Sequence, residues 1–348
     1  MSAAEQLQGL VLDNKWKVQQ RIKSQPSSGG FFSVPYIIED QAGTQHFLKA
    51  FDFSHAFRPG SDVVVVLEMM TAAYNHERDL LEYCKARKLS GVVMAVAHGY
   101  VQVPGTSPME GTVYYLVFEL AVTDVRRQVD AKTRLDSLWC LKILDDVTLG
   151  LWQLHREGIA HQDPKPSNVL VYPGDQCRVG DLGRSSRRGK PIWTDDLKIA
   201  GDKTYAPPEL LYSYLHPDFV PRRVGCDLYL LGNLAAFLFS GLNITAGLIS
   251  RLDPQFHPNK WGGTYEQALP YVQRAFAQTV EAVTPQIDDL VRLEIVSTIR
   301  ELCEPDLSRR GHPRGIGKFD QYSLERYKSK FDLLVKQKTV AARTRKTA

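Results

Sequence analysis

The sequence predicts an α+β protein built in two lobes, a small antiparallel β lobe with one helix followed by a mostly helical large lobe. Three observations predict it. A chain of 348 residues is too long for one compact core. Between Trp16 and Glu119, strand patterns alternate with turn residues and are interrupted by one segment of helical period. Beyond Glu119 the pattern changes to helix. The boundaries drawn from this are an N-terminal extension over 1–15, the first lobe over 16–119, the second over 120–322, and a basic C-terminal helix and tail over 323–348.

Composition removes other classes. Hydrophobic content of 43% and charged content of 24% argue against disorder and against a membrane protein. A formal charge of +4 gives no argument for nucleic acid as a partner. Cys84, Cys140, Cys177, Cys226 and Cys303 lie far apart without a Cys-x-x-Cys pair, which speaks against zinc and against a disulfide framework. The first residues lack a basic start and an apolar run, so no secretion signal is read there. The long apolar run Leu228 to Ile244 is broken by Gly232, Asn233 and Gly241 and reads as a buried core helix. These features predict a cytoplasmic protein with neither membrane nor nucleic acid as a partner.

Taken in order, Trp16 to Ile22 reads as a strand. It is followed by a turn-rich tip, Ser24 to Gly30, and a second strand, Phe31 to Glu39. A third strand, His46 to Phe51, carries Lys49 in apolar company, where an ammonium needs an anionic partner. Asp62 to Lys88 has helical period. Its stripe of Val66, Met70, Ala73, Leu80, Leu81 and Cys84 includes Glu77, whereas Glu82 falls off it and Glu68 lies at its border. Glu77 is therefore the preferred counter-ion of Lys49. Strands over Val92 to Val103 and Val113 to Glu119 follow, separated by the turn from Pro104 to Pro108. A long amphipathic helix, Asp136 to Glu157, ends at Gly158.

That helix leads into His161-Gln162-Asp163-Pro164-Lys165-Pro166-Ser167-Asn168. The stretch sets a carboxylate, an ammonium and an amide at offsets of 0, 2 and 5. Such a set suits phosphoryl transfer: Asp163 to accept a hydroxyl proton, Lys165 to neutralise a moving phosphate, Asn168 to offer an oxygen to a hard cation. Alone, it would read as a polar surface turn. A second carboxylate motif, Asp181-Leu182-Gly183, follows a short strand, and Pro207-Pro208-Glu209 and Arg310 come later in the chain.

The eight-residue stretch resembles the catalytic loop of eukaryotic-like Ser/Thr protein kinases, with Gln162 in place of the arginine before the aspartate. Matches in chain order at Lys49, Glu77, Asp163, Lys165, Asn168, Asp181, Glu209, Asp227 and Arg310 extend the resemblance over about Lys17 to Arg310. The resemblance implies a two-lobed kinase fold with ATP between the lobes and Mg²⁺ as the metal. It implies γ-phosphoryl transfer to a protein Ser or Thr. Asp163, Lys165 and Lys49 would be catalytic, and Asn168 and Asp181 would hold the metal. Nucleotide contacts would come from Ser27, Gly29, Val34, Lys49, Glu77, Asn168 and Asp181. Glu119 and Ala121 would serve as the adenine-recognising hinge.

The departures are specific. Ser27, Gly29 and Phe32 stand at the three phosphate-loop glycine positions, Phe47 replaces the alanine that roofs adenine, and Asp202 replaces a threonine beside the catalytic aspartate, with Thr204 nearby. The segment from Asp181 to Glu209 resembles an activation segment, but Gln162 cannot pair with a phosphate on it. Little dependence on phosphorylation of Ser185, Ser186, Thr194 or Thr204 is expected. Two other readings stay open: a pseudokinase acting as a binding module, suggested by the lost glycines and Phe47, and a small-molecule kinase of the aminoglycoside or choline type. Lys165 and the Glu209 segment with Arg310 favour a protein substrate over the second.

Overall fold

The computed structural model describes residues 1–22, 33–130 and 136–347. The chain forms two compact units, Met1–Val122 with Asp181–Gly183, and Thr123–Gly180 with Arg184–Ala348.

The first unit is built on six strands: β1 (Val11–Leu12), β2 (Trp16–Arg21), β3 (Ser33–Glu39), β4 (Gln45–Phe51), β5 (Ala95–Gln102) and β6 (Thr112–Glu119). They lie in the order β1-β2-β3-β4-β6-β5, with every neighbouring pair antiparallel. Period-2 patterning sets the register. Val34, Tyr36 and Ile38 of β3 stand opposite Ala50, Leu48 and His46, and the first two pairs are buried with Trp16, Val18 and Tyr115. Residues 1–15, read as an extension, contribute Ala4, Leu7 and Leu12 to this same core. The other face carries Phe47, Lys49 and Phe51, by alternation along β4.

One long helix, α1 (Val63–Ala86), belongs to this unit. Asp62 caps it by accepting from the Val65 N–H at 3.2 Å. Met70, Tyr74, Glu77, Leu81 and Cys84 recur at intervals of three and four and are all buried. Between β5 and β6 the expected turn includes a short helical turn, α2 (Pro108–Gly111), and β5 begins at Ala95 rather than Val92.

The second unit is mainly helical. It comprises β7 (Thr123–Asp124), α3 (Val125–Asp130), α4 (Ser137–Arg156), β8 (Ile159–Ala160), β9 (Val169–Tyr172), β10 (Gln176–Val179) and β11 (Ser186–Arg187). The helices α5 (Pro208–Leu211), α6 (Gly225–Ser240), α7 (Ile244–Arg251), α8 (Tyr265–Val283), α9 (Arg292–Leu302) and α10 (Glu325–Thr347) complete it. Helix α4 buries Leu141, Leu144, Val147, Leu151 and Leu154 in the core. Helix α6 is apolar on every side because it is enclosed on every side. It ends at Ser240, so the apolar run expected to continue to Ile244 is two helices. No single helix among the described residues is long and apolar enough to cross a membrane.

The C-terminal end differs from expectation. A short helix to Lys338 and a frayed basic tail were expected, but α10 runs from Glu325 to Thr347. Leu324, Tyr327, Phe331 and Leu334 join the core of the second unit, which anchors its start. The following Lys, Ala and Arg residues are strong helix formers and continue it.

Candidate active site

Both units hold clusters of charged side chains. In the first, Lys49 Nζ donates to Glu77 Oε1 at 2.8 Å and Oε2 at 2.9 Å, and to Asp181 Oδ1 at 3.0 Å. The apolar stripe of α1 turns Glu77 inward, where it is 3% exposed. Of the other acids weighed from sequence, Glu82 pairs with His98 and Glu68 is exposed. Burial pulls the Lys49 pKa down, but the carboxylates of Asp181 and Glu77 outweigh it and the ammonium ends above its ordinary value. Lys49 is thus held fully charged.

Asp181 adopts a left-handed backbone conformation, φ 61°, unusual for a residue with a side chain. Two residues on, Gly183 packs so closely on the pair that a Cβ there would lie 3.1 Å from Glu77 Oε2. Phe47 stands opposite Phe118 in the sheet, and the two rings meet at 6.2 Å between centroids. Val34, predicted as a nucleotide contact, pairs with Ala50 and is buried in the core of the opposite face from Lys49. Pro35 and Ile37 stand opposite Lys49 and Phe47 instead. Glu119 is the exposed last residue of β6, and Ala121 lies half-buried just beyond it. Ser27, Gly29 and Phe32 lie outside the described residues.

In the second unit, α4 and β8 deliver the chain to His161. Asp227, at the head of α6 and fully buried, accepts from the His161 N–H and the Gln162 N–H at 2.7 Å each, and His155 Nε2 lies 2.8 Å from it. This anchors the loop to the core. Asp163 is then gripped from three sides. Asn168 Nδ2 donates to its Oδ2 at 3.0 Å, Lys165 Nζ lies 3.0 Å from the same oxygen, and the Asp202 N–H donates to Oδ1 at 2.9 Å. The Asn168 NH₂ also donates to the Asp163 carbonyl at 2.9 Å, leaving its amide oxygen as the donor atom for a hard cation.

Asp202, standing where the family has threonine, reaches Asp163 through its backbone rather than its side chain. Its carboxylate lies 3.4 Å from Lys165 Nζ and accepts the Thr204 hydroxyl at 2.7 Å. Thr204, the alternative hydroxyl, therefore bonds to Asp202. Burial raises the Asp202 pKa, but the bonds from Thr204 and the charge of Lys165 more than reverse this. For Lys165, burial lowers the pKa and the carboxylates of Asp163 and Asp202 raise it beyond the ordinary value. Both groups are charged at neutral pH.

Gly201 is required by contact. A Cβ there would lie 2.3 Å from the Gln162 carbonyl oxygen and 2.8 Å from Asp163 Oδ1. Gly201→Ala should displace the Asp163 carboxylate and lower turnover at least about a hundredfold, the reported scale for misplacing reacting groups by an ångström. Steady-state kinetics check this, and a variant as fast as wild type would contradict it.

Glu209 of α5 meets Arg310 in a bidentate pair, Nη1 to Oε1 at 2.7 Å and Nη2 to Oε2 at 2.8 Å. The Arg310 Nε donates to the Glu304 carbonyl at 2.8 Å, and Tyr229 lies beneath the guanidinium at 5.2 Å. Both partners are buried, so the pair is structural.

The protein kinase domain model matches residues 68–250, more than half of the chain. The chain belongs to the protein kinase family. Among its relatives, the Ser/Thr-protein kinase mos of Xenopus laevis is 41% identical over 80 residues, which cover 21% of this chain and 22% of the relative. Ssn3 of Aspergillus niger is 30% identical over 155 residues, covering 42% and 34%. PknA of Mycobacterium tuberculosis is 24% identical over 247 residues, covering 69% and 50%. All three are Ser/Thr-protein kinases by name. The chain matches from about a fifth to half of the length of these curated relatives. An antiparallel sheet with one long helix in one unit and a mostly helical second unit is what a two-lobed kinase fold requires.

Two residues of this kinase fold that sequence reasoning passed over, Asp195 and Arg223, bear on the loop over 161–168. Arg223 Nη1 donates to Gln162 Oε1 at 3.1 Å and its Nη2 donates to the Asp195 carbonyl at 2.7 Å. The pair Arg222-Arg223 directly before the apolar helix was the only signal available.

Proposed function

We propose that the protein is an ATP- and Mg²⁺-dependent protein kinase that transfers the γ-phosphoryl group to Ser or Thr hydroxyls of a protein substrate. The observation that carries this reading is the threefold hold on Asp163 by Asn168, Lys165 and the Asp202 N–H. A carboxylate so fixed keeps one geometry for orienting a hydroxyl and taking its proton, a role worth roughly 10²- to 10⁴-fold in rate. Lys165, held charged beside it, steadies negative charge on the moving group. Lys49, held charged by Glu77 and Asp181, is suited to the remaining phosphates. Bound Mg²⁺ would neutralise phosphate charge, and Asn168 and Asp181 offer the hard oxygen donors that it takes. Glu119 and Ala121 are the proposed adenine contacts, made by their backbone groups. A cytoplasmic location belongs to the same proposal and is supported by five buried cysteines that are not joined in disulfides.

The pseudokinase reading has one specific observation in its favour, the Phe47 and Phe118 rings packed together on the Lys49 face of the sheet. The two readings separate on one assay. The purified chain is incubated with ATP, Mg²⁺ and a mixed peptide library, and products are read by mass spectrometry. Phosphoserine or phosphothreonine is expected. Nucleotide binding without any phosphopeptide would move the assignment to a pseudokinase.

A further inference from the structure

Gln162 carries no charge, yet it is tied to the segment that follows Gly183 through an arginine from elsewhere. A single π-helical turn, Val220–Val224, leads into α6 and carries Arg222 and Arg223. Arg223 is 4% exposed. Its Nη1 donates to Gln162 Oε1 at 3.1 Å, and Gln162 Nε2 donates back to the Arg223 carbonyl at 2.9 Å. The same guanidinium holds Asp195, donating to its carbonyl at 2.7 Å and lying 3.3 Å from its Oδ1. Arg222 donates to that carbonyl too, at 2.8 Å. The Asp195 carboxylate ties the segment to itself, accepting from the Ser186 hydroxyl at 2.5 Å and the Ile192 N–H at 2.9 Å.

Gln162 sits at φ 71°, a left-handed conformation that costs a residue with a side chain energy and persists only where surrounding bonds fix it. The bonds that fix it are the Asp227 carboxylate on its N–H and Arg223 on its amide. Arg222 and Arg223 both donate to the Asp195 carbonyl, and Arg223 also meets its carboxylate. Burial and the charge of Arg222 lower the Arg223 pKa despite the carboxylates of Asp195 and Asp227. Ser185, Ser186 and Thr194, three hydroxyls of the segment, are all fully buried.

We propose that Asp195 is a built-in substitute for a phosphate on this segment, and that Arg223 is a positioning residue carrying its hold through Gln162 to Asp163. Its rate test rests on the reading of the chain as an active kinase. A test by hydrogen–deuterium exchange over residues 161–168 does not.

Turnover, the ATP KM and exchange are measured for wild type, phosphatase-treated wild type, Asp195→Asn, Asp195→Glu and Arg223→Gln. Loss of a charge-assisted bond should lower kcat about tenfold or more in Asp195→Asn and Arg223→Gln, with the ATP KM within about twofold of wild type. Exchange over 161–168 should rise in both, and Asp195→Glu should recover most of the rate. Phosphatase treatment should leave turnover within about twofold. If Asp195→Asn fails to fold, Arg223→Gln decides. Variants with wild-type rate and exchange would overturn the proposal, as would abolition of activity by phosphatase. A wild type that transfers no phosphate, with exchange still raised in Asp195→Asn, would sink the kinase reading and leave the tie standing. No transfer and no change in exchange would sink both.

Discussion

Glu209→Gln should lower the unfolding free energy by about 3 to 5 kcal/mol, the cost of leaving a buried charge without its partner. Arg310 is fully buried and its other bonds, to the carbonyls of Glu304 and Gly225, supply no charge. Burial alone would lower the Arg310 pKa, and chiefly Glu209, with Tyr265 and Tyr322 behind it, lifts it above its ordinary value. Removing the carboxylate therefore leaves a cation with no route to neutralise itself. Replacing both residues, Glu209→Leu with Arg310→Met, should cost less than Glu209→Gln alone, because the desolvated charge is gone as well. Chemical denaturation of the three proteins measures this. A midpoint for Glu209→Gln within experimental error of wild type would mean that the pair contributes packing but no charge balance.

Lys49→Met should reduce turnover by about a hundredfold or more, as expected for the loss of a fixed charge in a water-poor site. The change also leaves Glu77 and Asp181 without the cation they share, and Glu77 is too buried to stay ionised cheaply. Two carboxylates that lose their shared cation repel one another, which displaces Asp181 and weakens any nucleotide–metal complex that it helps to hold. Titration of ATP with Mg²⁺ by calorimetry should show weaker binding for Lys49→Met. Affinity and rate equal to wild type would contradict the role given to Lys49.

What was legible in the sequence was what lies close along the chain or repeats with a regular period. Glu77 stood out because one acid occupied an apolar stripe, and only a buried cation explains that. Asp163, Lys165 and Asn168 were legible because all three come from a single loop of eight residues. Val34 was misplaced because motif spacing alone put it beside the nucleotide, whereas alternation along β3 sends Val34, with Tyr36 and Ile38, to the buried face away from Lys49. Residues 1–15 looked like an extension because β1 is only two residues long and carries no readable alternation. The length of α10 was missed because helix propensity was given less weight than charge. Arg223 and Asp195 are 28 positions apart, and neither lies in a stripe or a motif, so their meeting is decided by tertiary packing alone.

The measurement that bears most directly on the assignment of Asp163 is a paired determination of kcat and nucleotide affinity for wild type and Asp163→Asn. The amide keeps the shape but cannot take a proton, and its single oxygen can accept from Asn168 and Lys165 or from the Asp202 N–H, not from both sides. A fall in kcat of about 10²- to 10⁴-fold, with ATP affinity within about twofold of wild type, is the predicted result. An Asp163→Asn protein that turns over at the wild-type rate would contradict it and remove Asp163 from the chemistry.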